Sequence, residues 1–224
     1  MTPTIRAFAR KALWALPVCA VMLFSSTLTH QPDPQTSFGD FAAYVTTDAF
    51  LISHLVNSIL GGAIGIIGAV ALMLYLSDTR AAGKAAAGMT ALVIGNTLST
   101  SVFGAAAFAQ RGVGLAFQGG AQNAQEIYNL IYDAPLFGTA VIGMLAFIVG
   151  GIYLGIAISR SGRFPRWAGW MFAVGLAGFI VGNIFFWAAG SVMAVVLSIA
   201  SLVVAWTASR QSAVQEDRSA AAVY

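Results

Sequence analysis

Polar side chains recur inside the apolar stretches of this chain, at spacings that would place them together on helix faces. Between residues 49 and 76, His54, Asn57 and Ser58 follow the three-and-four spacing of one side of a helix. A polar group in hydrocarbon is costly unless it faces other helices or water, so such residues mark a functional site by default. The candidate residues are His54, Asn57, Ser58, Asn96, Thr100, Ser101 and Asn183.

A helical rise of about 1.5 Å per residue places most of these side chains in the outer half of a membrane. His54 and Asn57 would lie roughly 8 to 12 Å below the outer end of their helix, and Asn183 roughly 6 Å below the end of its own. The positions predict a polar pocket in the outer leaflet. The alternative is that these residues only make hydrogen bonds between or within helices, worth about 0.6 kcal/mol on average, with His54 neutral and satisfied.

The chain lacks the sequence patterns of enzymes and metal sites. It contains no HExxH, no CxxC and no nucleophile with a matching base. Cys19 is its single cysteine, which excludes an internal disulfide, and its apolar surroundings indicate packing. His30 and His54 are the only histidines, and His30 lies outside the apolar runs, which argues against bis-histidine haem. The sequence predicts no catalytic residue, cofactor or metal, and favours a protein that is not an enzyme.

The elements that must position the polar residues are membrane helices. Hydrophobic residues make up 58% of the chain and charged residues 8%, and the mean hydropathy is +0.81. A soluble core cannot bury so much apolar surface, and apolar runs near 20 residues are long enough to cross a bilayer. The sequence therefore predicts an all-α transmembrane bundle. The predicted spans are 12–28, 49–76, 85–109, 134–158, 167–187 and 190–208.

The positions of the basic residues predict the orientation of the bundle. Six passes put ten of the eleven Lys and Arg residues on one side, and only Arg111 on the other. Because cytoplasmic loops retain basic residues, both termini are predicted to be cytoplasmic, in the plasma or inner membrane of a bacterium. Scattered basic residues of this kind argue against nucleic acid as a partner. The outer side is acidic, with the residues Asp33, Asp40, Asp48, Glu126 and Asp133.

The first span has two interpretations. Arg6, Arg10 and Lys11 followed by the apolar run from Ala12 to Phe24 also describe a signal peptide. We favour an uncleaved anchor, because the apolar run continues to Thr29 without an A-x-A cleavage site. Cleavage would leave five helices and place the new amino terminus outside.

The predicted organisation is one bundle with two outer segments. Residues 1–11 form a cytoplasmic amino terminus, residues 12–208 the bundle, and residues 209–224 a flexible cytoplasmic tail. The outer segment 30–48 is expected to run irregularly, since it contains two prolines, whereas the outer segment 110–133 contains helical spacing between residues 121 and 131. Asp48 and Asp133 are predicted to cap the helices that follow these segments.

One short turn has a sequence similar to that of a known class of proteins. Residues 159–170 read SRSGRFPRWAGW, with arginines that would hold the loop in the cytoplasm and tryptophans that would anchor the next helix at the interface. The turn resembles the basic turn between late helices of small bacterial multi-pass membrane proteins of a domain-of-unknown-function class. The likeness covers roughly residues 49–187, mainly as helix pattern. That class brings no assigned activity, so the resemblance implies a fold and no site residues.

The spacing of the glycines predicts where the helices pack closely against other helices. Steps of four residues between glycines permit close helix packing where lipid supplies no hydrophobic drive, either within one chain or between copies or other membrane proteins. These steps are Gly61 and Gly65, Gly151 and Gly155, and Gly178 and Gly182.

Three classes of function fit the sequence. A structural or regulatory protein, such as an accessory subunit, agrees with the packing faces and the missing chemistry. A transporter of a small solute or ion agrees with the outer polar residues, the acidic mouth and a weak likeness between spans two to three and four to five. A membrane enzyme or cofactor binder is the third class.

Overall fold

The computed structural model describes residues 2–29 and 31–221, so His30 and the last three residues of the predicted tail lie outside it. The described residues form eight helices and no strand, which confirms the predicted all-α bundle. The helices are α1 Pro3–Ser26, with a turn at residues 13 and 14, α2 Phe38–Val45, α3 Asp48–Tyr75, α4 Ala82–Gln118, α5 Ala124–Ile131, α6 Ala134–Arg160, α7 Arg166–Phe185 and α8 Trp187–Ala221.

Six of these helices within the described residues are long and apolar enough to cross a membrane. They are α1, α3, α4, α6, α7 and the part of α8 from Ala188 to Gln211. Three helices extend well beyond their predicted spans. Helix α1 begins at Pro3, inside the predicted amino-terminal segment 1–11. Helix α4 continues to Gln118, through residues assigned to the outer segment 110–133, and α8 continues past residue 208 into the predicted tail.

Glycines bring the long helices into close contact. An added Cβ at Gly65 of α3 would lie 2.9 Å from Cys19 Sγ of α1. On α6, a Cβ at Gly155 would lie 2.5 Å from the carbonyl oxygen of Gly169 on α7. At Gly182 it would lie 2.5 Å from the backbone nitrogen of Gly190 on α8. The predicted glycine steps therefore pack helices within this chain, where a larger side chain would push the backbones apart.

The end of the bundle that holds Asp48 and Asp133, called the acidic end, is covered by α2, α5 and the end of α4. Phe38 and Phe41 of α2 pack against Tyr128 of α5, with ring centroids 6.2 and 5.0 Å from that of the tyrosine. The expectation of irregular chain across residues 30–48 is wrong for Phe38–Val45. The apolar residues there bury against α5, and this tertiary packing stabilises a helix of only eight residues.

The two predicted helix caps have different outcomes. Asp133 is the N-cap of α6, where its Oδ1 accepts a hydrogen bond from the Ala134 nitrogen at 2.6 Å. Asp48 is instead the first residue of α3, and Thr47 is the N-cap, accepting from the Phe50 nitrogen at 3.2 Å. Threonine is also a good N-cap residue, so the cap lies one position earlier than predicted.

The opposite end, called the basic end, is held by a network around Asp78. This residue follows α3, and its carboxylate lies 3.1 Å from Arg6 Nη2 and 2.7 Å from Arg163 Nη2. The Arg163 guanidinium also lies over the Tyr75 ring, 4.9 Å from its centroid, and donates to the Tyr75 carbonyl. Gln211 of α8 joins the same network, since its Nε2 donates to the Arg163 carbonyl at 2.7 Å. These contacts tie α1, α3, the turn before α7 and α8 together.

Candidate functional site

A cavity of about 410 Å³ lies in the half of the bundle nearest the acidic end. It is walled by α1, α3, α4, α6 and α7, and Tyr44 of α2 and Gln31 also line it. Its volume is within the range of sites for small molecules. The polar residues that line this large cavity are Ser26, Thr29, Gln31, Tyr44, Ser53, His54, Ser58, Ser99 and Asn183.

Three of the seven residues selected from the sequence line this cavity: His54, Ser58 and Asn183. Asn57 lies on α3 beside them, but its Nδ2 donates to Ser53 Oγ of the same helix at 3.4 Å. Ser101 is exposed, and its hydroxyl donates to the Leu98 carbonyl at 2.7 Å. The cavity thus brings together residues from α3 and α7 that are far apart in sequence.

Asn96 and Thr100, the remaining two, face α3 at Gly62. A Cβ at Gly62 would lie 3.1 Å from Asn96 Oδ1 and 3.3 Å from Thr100 Oγ1. Asn96 lines a separate void of about 30 Å³, farther from the acidic end. The predicted single pocket is therefore divided between the large cavity, a helix interface and this small void.

Two π-helical segments interrupt the helices near the cavity. Residues His54–Leu60 of α3 and Ala105–Gln110 of α4 adopt this wider form, and the two segments contact each other. A π-helix bonds residue i to i+5, so it shifts side chains away from regular three-and-four spacing and is frequent at functional sites. The shift explains why His54 and Ser58 line the cavity while Asn57 does not.

The hydrogen bonding of His54 fixes which ring nitrogen carries the hydrogen. Nδ1 lies 3.0 Å from the carbonyl oxygen of Phe50, and a carbonyl only accepts, so Nδ1 carries the hydrogen. The imidazole also packs on the buried Phe50 ring, with centroids 4.2 Å apart. In the neutral side chain, Nε2 is therefore an acceptor, and no described residue donates to it.

Two other polar residues of the cavity, Ser26 and Asn183, also present acceptors. The Ser26 hydroxyl donates to the Leu23 carbonyl at 2.7 Å, which leaves its oxygen lone pairs free to accept. Asn183 Nδ2 donates to the Phe179 carbonyl at 2.8 Å, and its Oδ1 remains an acceptor. Among the described lining residues none is Asp, Glu, Lys or Arg. Apolar side chains, including Phe103, make up the rest of the wall.

Sequence reasoning missed several lining residues, each for a local reason. Tyr44 lies in α2, which was expected to be irregular, so no face could be assigned to it. Ser26 and Thr29 lie at the end of the first apolar run, where spacing alone gives no partner. Ser99 lies three residues after Asn96, and this helical spacing was the one usable signal.

Within the described part of the chain, no three His, Cys, Asp or Glu side chains lie close enough to hold a metal ion. No protein-family model, no curated protein and no solved structure matches the chain. The resemblance of residues 159–170 to the domain-of-unknown-function class remains a prediction from the sequence.

Proposed function

We propose that this chain is a multi-pass protein of a bacterial inner membrane that binds a small uncharged solute in the large cavity. The observation that carries the proposal is the character of the lining: hydrogen-bond acceptors at His54, Ser26 and Asn183 within apolar walls, with no Asp, Glu, Lys or Arg among the described lining residues. Such a lining suits a molecule that donates hydrogen bonds and has an apolar part, such as a diol, a primary amide or a phenol. Transport of this solute is the activity we favour.

The proposed orientation has both termini in the cytoplasm and the acidic end outside. It is supported by the distribution of Lys and Arg, which leaves only Arg111 at the acidic end. Retention of the first helix is supported by its packing, because Leu16 and Cys19 fill the space beside Gly68 and Gly65 of α3. A cleaved α1 would leave that face of α3 open.

The test of solute binding is thermal stability of the detergent-solubilised protein in a panel of small diols, primary amides and phenols. A solute that binds the folded state raises the unfolding temperature. We expect His54→Phe and Asn183→Leu to abolish this rise, and Ser101→Ala, which alters an exposed hydroxyl of α4, to retain it. A rise that survives both cavity variants unchanged would remove the cavity as the binding site.

A structural or accessory subunit is the second candidate. It is supported by large apolar side chains exposed near α5, Leu130 at 70% and Phe137 at 69%. Exposed apolar patches often mark an interface with another protein or the membrane. The test is the native mass of the protein extracted in mild detergent. An assembly larger than the single chain that dissociates in the double variant Leu130→Asn with Phe137→Asn would favour this candidate. The partners in the assembly would be other membrane proteins or further copies of the chain.

A further inference from the structure

The small void lies at the centre of the bundle, where all six long helices meet. It has a volume of about 30 Å³, enough for one or two water-sized molecules. Gly65 keeps it open, because a Cβ there would lie 2.9 Å from Cys19 Sγ and 3.7 Å from Asn96 Nδ2. The void is therefore a built feature of the packing between α1, α3 and α4.

Two polar groups in the lining of this void have unused hydrogen-bonding capacity. Asn96 is 4% exposed and Ser201 of α8 is 1% exposed. Among the described residues, neither Asn96 Nδ2 nor Ser201 Oγ has a hydrogen-bond partner. Burying such groups without a partner is costly, and a molecule bound in the void beside them can satisfy them. A ligand here would accept from Asn96 Nδ2 and bond to the Ser201 hydroxyl.

One side chain borders both the void and the large cavity. Leu23 of α1 lines both spaces, and within the described residues no other side chain lines the two. Toward the basic end the void is closed by Leu16, which packs tightly on Gly68, where a Cβ would lie 2.7 Å from Leu16 Cδ2. Leu23 thus borders both the cavity toward the acidic end and the void beyond it, and the lining of the void is mostly apolar.

We propose that the small void is a second binding site for a water-sized, uncharged, hydrogen-bonding molecule, reached from the large cavity when Leu23 moves aside. This proposal rests on the proposed function, since it makes the large cavity the entrance to the path. Asn96 and Ser201 hold the molecule, and Leu23 controls its access. A short path of this kind suits a solute whose polar group is no larger than water, ammonia or a hydroxyl.

Cys19 provides a native reporter, because it is the only cysteine of the chain and lines the small void. The experiment uses the full-length protein in detergent micelles and methyl methanethiosulfonate, a small uncharged thiol reagent. The readout is the rate at which Cys19 is modified, measured by mass spectrometry. We expect Cys19 to be modified slowly in the wild type and roughly tenfold faster in Leu23→Ala.

The matched control is Leu16→Ala, which removes the same atoms from the other side of the void. We expect its rate to stay near that of the wild type. Leu23→Val provides a milder variant with an intermediate rate, should Leu23→Ala fail to fold. Equal rates for Leu23→Ala and the wild type, or equal acceleration by Leu16→Ala, would overturn the role of Leu23.

The polar character of the void is tested by adding Asn96→Leu to Leu23→Ala. Leucine has a similar size but no amide, so a dry void is expected to return the labelling rate to the wild-type level. Unchanged fast labelling would contradict the polar site. Failure of this proposal can be told from failure of the proposed function, because Cys19 labelling tests the void whereas thermal stability tests solute binding in the large cavity.

Discussion

Arg111 binds Asp48, with Nη2 of the arginine 3.3 Å from Oδ1 of the aspartate. The same guanidinium donates through Nη1 to the carbonyl oxygens of Thr46 at 2.6 Å and Thr47 at 3.1 Å. Arg111 was the exception in the charge pattern of the sequence. It holds the carboxyl end of α2 against the start of α3, where free carbonyls favour a cation.

Removing the Arg111 side chain should destabilise the fold more than removing the charge of Asp48. The Asp48 side chain is 85% exposed, so its ion pair is screened and weak, whereas the backbone carbonyls depend on the guanidinium. We expect Arg111→Ala to lower the free energy of unfolding by about 1–2 kcal/mol and Asp48→Asn by about 0.5 kcal/mol or less. Chemical or thermal unfolding in detergent measures both. Equal losses would show that the ion pair is the main contact.

Asp78 should make the basic end sensitive to acid. Partial burial raises the pKa of this carboxyl, but the hydrogen bond and charge of Arg163, with the charge of Arg6, hold it below its ordinary value of 3.8. A lowered pKa in the folded state means that the ion pairs stabilise the protein fully above that ordinary value. The contribution is lost as the pH falls through the lowered value.

The measurement is the unfolding temperature of the wild type and of Asp78→Asn across the acidic pH range. We expect the variant to be less stable near neutral pH by about 1 kcal/mol or less, because the carboxylate is partly exposed. The difference should shrink as the wild-type carboxyl is protonated. A difference that stays constant down to strong acid would mean that Asp78 acts through shape rather than charge.

The six candidate membrane helices were predictable from the sequence, because the length of an apolar run decides whether a helix can cross a bilayer. The end of α4 could not be predicted, because the apolar run stops at Gln110 and Arg111. Gln110 is nevertheless buried, and Arg111 gains the carbonyls of Thr46 and Thr47, so the helix continues. Tertiary contacts of this kind have no local signal in the sequence.

The candidate site was predictable in part. Residue type and depth selected His54, Ser58 and Asn183, which line the large cavity. Regular helical spacing also selected Asn57, because a π-helical segment does not show in the pattern of residue types. The small void depends on how α1, α4 and α8 meet, and the presence of Asn96 and Ser201 in the lining of one void could not be predicted from either helix alone.

The proposed topology predicts where reporters fused to the termini will work. Both termini should lie in the cytoplasm, because the basic residues flank the helix ends that lead to them. Green fluorescent protein fused to the carboxyl terminus should fluoresce, and alkaline phosphatase at the same position should be inactive. Phosphatase fused after Gln118 should be active, since α4 ends at the acidic end. Activity at the carboxyl terminus would contradict six passes with both termini inside.

Glycine packing between α6 and α7 supplies a prediction with an internal control. A Cβ at Gly155 would lie 2.5 Å from the Gly169 carbonyl oxygen, whereas a Cβ at Gly138 of the same helix meets no atom within 4 Å. We expect Gly155→Ala to lower the free energy of unfolding by about 1–3 kcal/mol, because the two helices must separate. Gly138→Ala should be neutral or raise it by up to about 1 kcal/mol, because alanine favours the helix. Thermal unfolding in detergent measures both variants, and a Gly155→Ala protein as stable as Gly138→Ala would show that α6 and α7 do not rely on this contact.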